Sequence, residues 1–135
     1  MGIMNRNLTR VWTRDVGGRI EDLTFPYDKD FEVVVDAEAE LGIFHAGARY
    51  GTGVVVRDLT AGNAIATVPV PPLSGAMGDP SWPTPDHQFV YTVPAANLGA
   101  ARENHCCEVL AFVRVGVADP DVSFGISPMF IIRNP

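Results

Sequence analysis

Cys106-Cys107-Glu108-Val109-Leu110-Ala111-Phe112-Val113-Arg114-Val115, followed by Ala118-Asp119-Pro120-Asp121 and then by Val122 to Ile132, is the stretch that decides the fold class. The first segment is rich in valine, carries no glycine or proline, and is closed by an Asp-Pro-Asp turn, as a β-strand entering a hairpin would be. A strand is expected over 106–117 and its partner over 122–132. Successive side chains of a strand point to opposite faces, so Val109, Ala111, Val113 and Val115 share one face and Leu110 and Phe112 the other. A strand with one face in water alternates apolar with polar residues, whereas this one is apolar on both sides. Both faces require cover.

The same composition continues outward. Val54, Val55 and Val56 are apolar without alternation, as are Met129, Phe130, Ile131 and Ile132. Further strands are expected at Asp30 to Ala39, Gly51 to Leu59, Ala64 to Val70 and Gln88 to Val93, with an N-terminal one at Leu8 to Thr13. Asp58-Leu59-Thr60-Ala61-Gly62-Asn63 supplies a turn between two of them. A helix over Ala37 to Ala48 competes, since Ala37, Leu41, Phe44 and Ala48 recur at helical spacing, but Gly42 and Gly47 weaken it. Pro69 to Asp86 holds six prolines and is expected to be an irregular loop.

Phe89-Val90-Tyr91-Thr92-Val93-Pro94, then Leu98-Gly99, then Val109 to Val115 resemble strand E, the following turn and strand F of the immunoglobulin-like and fibronectin type III-like β-sandwiches. Ser127-Pro128-Met129-Phe130-Ile131 would be strand G, so the resemblance covers residues 30–133. It implies an all-β, antiparallel immunoglobulin-like β-sandwich of about seven strands. Residues 29–135 would form the sandwich domain and residues 1–28 an N-terminal arm. Two departures are visible: Cys106 and Cys107 stand where a tyrosine is usual, and no second cysteine on strand B permits the antibody-type bridge. Such folds host many roles, so the likeness implies no activity.

The chain has 135 residues, 47% of them apolar, which is enough for one core and too little for two domains. Its formal charge is −6, unsuited to a surface that seeks nucleic-acid phosphates or anionic lipid. Charge is unevenly placed. Arg6, Arg10, Arg14 and Arg19 dominate the first twenty residues, whereas residues 21–40 carry eight acidic side chains against Lys29 alone. No apolar run approaches the ~20 residues that span a bilayer, and the first ten residues lack the apolar stretch of a signal peptide. The expectation is a cytoplasmic protein with two reduced thiols, because a bond between adjacent cysteines on a strand would be strained.

Chemical motifs are weak. His105 and Cys107, with His45 or His87, could be imagined around zinc, but no Cys-x2-Cys or His-x3-His pair occurs. Asp28, Asp30 and Glu32, and Asp119 with Asp121, are oxygen donors without EF-hand register. A thiol nucleophile at Cys107 would be opposed by Glu103 and Glu108, whose charge raises its pKa. No Gly-x-Ser-x-Gly elbow, phosphate loop or dinucleotide fingerprint is present. No metal and no cofactor is expected.

Two functions follow from the pattern. The first is a non-enzymatic structural or protein-interaction module that forms a homo-oligomer through the outer sheet face bearing Leu110, Phe112, Val55 and Ile131. An N-terminal arm folded over that face, supplying Leu8, Val11, Trp12 and Ile20, is the competing cover. The second is a carbohydrate- or small-ligand-binding module built on the proline-rich loop, with Trp82 as stacking platform and Tyr91 and His87 beside it. In the absence of a ligand role, Trp82 would cap the open end of the sandwich.

Overall fold

The computed structural model describes residues 7–68, 74–116 and 120–135. The chain is all-β, with two sheets enclosing one core. The smaller sheet has the order β1-β3-β7, formed by Leu8–Asp15, Phe31–Glu38 and Asp86–Val93, all antiparallel. The larger runs β2-β10-β8-β4-β5, formed by Thr24–Pro26, Phe130–Arg133, Cys106–Val115, Arg49–Asp58 and Asn63–Val68. Within it, β6 (Ser74–Ala76) pairs with β4 and β9 (Asp121–Ile126) pairs with β8. The contact of β2 with β10 is parallel.

Alternation along these strands fills the interior. Val33 and Val35 of β3, Phe89, Tyr91 and Val93 of β7, Val54 and Val56 of β4, and Val109, Ala111 and Val113 of β8 are all buried. One polar bridge crosses the core: the hydroxyls of Thr52 on β4 and Tyr91 on β7 lie 2.6 Å apart, each satisfying the other away from water. At one end Phe25 stacks on Phe31 at 4.5 Å, with Phe130 edge-on to both.

Residues 7–28 do more than an arm would. Leu8–Asp15 is the edge strand of the smaller sheet, and Phe25 of β2 belongs to the aromatic core. Gly125 admits this strand: a β-carbon there would lie 2.6 Å from Leu8 Cδ2 and 2.8 Å from Val11 Cγ2. The outer face of the smaller sheet is closed by its own side chains. Arg10 and Arg14 flank the Trp12 ring at 4.7 and 5.7 Å, and the indole N–H donates to Asp36 Oδ2 at 2.9 Å. Trp12 pairs across from Val34, which is 0% exposed.

Three expectations change. The strand over 122–132 is two strands, because Ser127 Oγ takes the Val109 N–H at 2.9 Å and Pro128 has no N–H to continue a ladder. The helical pattern of 37–48 yields only the single turn α1, Leu41–His45, since Ala37 and Glu38 stay in β3 and Gly47 takes a left-handed φ of 69°. Within the proline-rich segment, Ser74–Ala76 forms a strand against Arg49–Gly51. Val70-Pro71-Pro72 and Asp119 lie outside the described residues.

Candidate functional site

The densest polar cluster is at the end of β4. Asp58 closes that strand and turns the chain into β5: its Oδ1 accepts the Ala61 N–H at 2.9 Å, and Gly62 follows with φ 75°. The short helical turn Ala100–Arg102 and the start of β8 bring two further donors. Arg102 Nη1 and His105 Nδ1 each reach Asp58 Oδ2 at 2.7 Å, and Arg102 also donates to Asn63 Oδ1. The Asp58 side chain is fully buried. Burial pushes its carboxyl pKa up, but the Ala61 N–H, His105 and Arg102 outweigh it and hold the pKa below the ordinary value. An ionised carboxylate only accepts, so His105 Nδ1 carries the hydrogen.

Beneath this cluster lies Cys107, buried on the inner face of β8. Burial, then the charge of Asp58, pushes its thiol up to about 12. The thiol is therefore protonated at neutral pH, which makes it a poor nucleophile and a poor metal ligand. Sequence reasoning foresaw an elevated thiol but credited Glu103 and Glu108 rather than burial and Asp58. It missed Asp58 and Arg102 altogether; the turn signal at Asp58 to Asn63 was legible, but not which side chains would converge on it. Among the described residues no group of three or more His, Cys, Asp or Glu side chains could hold a metal ion. Asp30 Oδ1 accepts the Ala95 N–H, and Glu32 takes Arg14 and the Gly17 N–H.

The three residues expected to bind a ligand form no open site. Trp82 is 0% exposed, edge-on to Tyr50 at 5.0 Å and to Phe89 at 5.3 Å, with its N–H on Pro85 O. Asp79 fixes the loop that delivers it, accepting from the Ala76 and Ser81 N–H groups, while Tyr50 donates to Ser81. The stacking-platform expectation for Trp82 is thus corrected: a ring enclosed on all sides offers no face to a sugar. Tyr91 is turned inward onto Thr52, its phenol pushed up to about 12 by burial. His87 is half-buried edge-on to Phe89 at 4.7 Å, and desolvation lowers its pKa.

The four residues expected at an interface lie on one face, three of them adjacent and Ile131 farther along β8 beyond the Arg57–Glu108 pair. On the outer face of the larger sheet Leu110 lies opposite Val55 on one side and Ile126 on the other, Phe112 lies opposite Gly53 and Phe124, and Ile131 lies opposite Cys106. Val55, Leu110 and Phe112 are half-buried, while Ile131, Phe124 and Ile126 are 37%, 48% and 58% exposed. Phe112 lies flat across Gly53, where a β-carbon would meet Cε1 at 2.6 Å. The Arg114 guanidinium lies likewise over Gly51. A groove of about 420 Å³ borders the face at β9, lined by Leu8, Arg10, Leu110, Phe124 and Ile126 among others. No protein-family model and no curated protein matches this chain. No helix among the described residues is long and apolar enough to cross a membrane.

Proposed function

We propose that the protein is a non-enzymatic interaction module that associates with a second copy of itself through the outer face of its larger sheet, in the cytoplasm. The observation that carries this reading is the apolar patch formed by Val55 of β4, Leu110 and Phe112 of β8 and Phe124 and Ile126 of β9, with Ile131 of β10 beyond the Arg57–Glu108 pair. The competing cover is weakened, since Leu8 and Val11 lie in the shared core, Trp12 lies on the other sheet and Ile20 is exposed. The area suits a weak dimer. Because β9 and β10 follow each other along one edge of β8, the face is three strands wide, roughly 30 by 14 Å from strand rise and spacing, and gives about 850 Å² over two copies, in the range of weak, transient interfaces.

The immunoglobulin-like arrangement is part of the same reading. Strand order supports it: β1, β3 and β7 would take the places of A, B and E, while β5, β4, β8 and β10 would take C′, C, F and G. Two free adjacent cysteines fit a reducing compartment.

The test is light scattering on the full chain and on Phe112→Asp, with circular dichroism to verify folding. A dimer that the substitution converts to a folded monomer supports the reading. A full chain that is monomeric at tens of micromolar defeats it.

A further inference from the structure

The outward residues of β8 read, two apart along one strand, Glu108, Leu110, Phe112 and Arg114. Opposite charges thus stand at equal distances on either side of an apolar pair, roughly 20 Å apart at strand rise. Such a row is self-complementary when reversed. A two-fold axis lying between two facing sheets, and crossing β8 level with residue 111, sets Leu110 of each copy on the partner's Phe112. It also sets Glu108 of each copy beside the partner's Arg114. An isologous interface requires this reciprocity, in which residue i meets j and j meets i.

The two charged residues are differently placed within one chain. Glu108 is partly covered and pairs with Arg57, its neighbour on β4. Arg114 is exposed, lies over Gly51, and its guanidinium makes no hydrogen bond or ion pair among the described residues. The face therefore holds an arginine without a carboxylate at one end and a carboxylate at the other, on a chain whose formal charge is −6. Stacked sheets cross at about 30°, which displaces points ~10 Å from the axis by ~5 Å, within the reach of an arginine side chain.

We propose that the second copy docks sheet on sheet with its β8 antiparallel to the first, each Arg114 pairing with the partner's Glu108. This rests on the self-association reading above and adds to it a register and a sense. The flat lie of Phe112 and Arg114 across two glycines suits such stacking, because it keeps the surface low enough for a second sheet.

The test is a charge exchange read by sedimentation equilibrium. Arg114→Glu leaves only acidic groups at the two β8 positions, and Glu108→Lys leaves only basic ones. Each variant alone is expected to dimerise at least tenfold more weakly than the unmodified chain. An equimolar mixture is expected to recover heterodimer within about threefold of the original affinity, since both reciprocal pairs again join opposite charges, one as in the unmodified chain and one with its signs exchanged. If Glu108→Lys does not fold, the double variant Arg57→Glu with Glu108→Lys keeps the intrachain pair and serves in its place. A mixture no tighter than its separate components, from a chain that is dimeric and that Phe112→Asp dissociates, overturns the register while the interaction face stands. A monomeric unmodified chain overturns both.

Discussion

On the outer face of the smaller sheet, Trp12 lies between two guanidinium groups, gives its N–H to Asp36 and covers Val34, while Arg14 pairs with Glu32 at 2.9 Å. On the outer face of the larger sheet, Phe112 lies across Gly53 with Phe124 and Ile126 beside it, and those two are about half exposed. The first face uses charge to hold an aromatic ring as a lid, and its polar groups satisfy one another. The second has its charges, Arg57 with Glu108 and Arg114, at the ends of the apolar patch rather than over it. Each face is apolar beneath, but among the described residues only the first carries an aromatic lid held by charged side chains. The lesson is that an apolar strand face does not by itself imply a partner; it implies one where no side chain of the same chain covers it.

The largest expected effect comes from removing the lid. Trp12→Ala uncovers Val34 and leaves Asp36 short of a donor, for a loss of about 3–5 kcal/mol in denaturant unfolding. Phe112→Ala, measured as the monomer, is expected to lose much less, since that ring is only partly buried. Equal losses would erase the contrast between the two faces.

Next comes Asp58, which ties the β4–β5 turn to the chain entering β8. Asp58→Asn is expected to destabilise by about 2–3 kcal/mol, below the full range for a broken buried ion pair because Arg102 retains contact with water. The sign of the pH dependence follows from the lowered pKa. The stabilisation is fully present above the ordinary value of 3.8 and is lost as pH falls through the lower folded value. Asp58→Asn is expected to flatten that acid limb, and an unchanged limb would show that Asp58 does not carry it.

At the alkaline end, Cys107 and Tyr91 both ionise near 12 in the fold, above their ordinary values of 9.0 and 10.0. Their protonated forms are favoured by folding, so stability is complete below about 9 and declines as pH rises toward 12. Tyr91→Phe with Cys107→Ala is expected to weaken this decline in alkaline melts. The smallest effect is chemical rather than energetic. In native protein an alkylating reagent is expected to modify half-buried Cys106 well before buried Cys107, and mass mapping after brief labelling checks it. Equal labelling would show that the inner face of β8 opens on the same timescale.

Much of this architecture was legible from residues. The valine-rich composition of β8 and β3 announced the strands, and the Asp58 to Asn63 turn and the apolar outer face stand where pattern reading put them. What was not legible depended on long-range convergence. Trp82 sits among six prolines, surroundings that suggest a surface loop, but Tyr50 and Phe89 from two different sheets enclose it. The N-terminal segment, with four arginines in twenty residues, reads as an arm with a strand at Leu8 to Thr13; that Leu8 and Val11 meet the Gly125 backbone depends on a residue more than a hundred positions away. Arg102, in an alanine-rich turn, gave no local sign that it would meet Asp58.

The account turns on whether the larger sheet's face is covered in solution by a second copy. Sedimentation equilibrium of the unmodified chain over a dilution series from about 100 to 1 micromolar measures this directly. The expected result is a mass of twice 14.6 kDa at the upper end that falls toward one chain on dilution. A mass of 14.6 kDa at every concentration would contradict it.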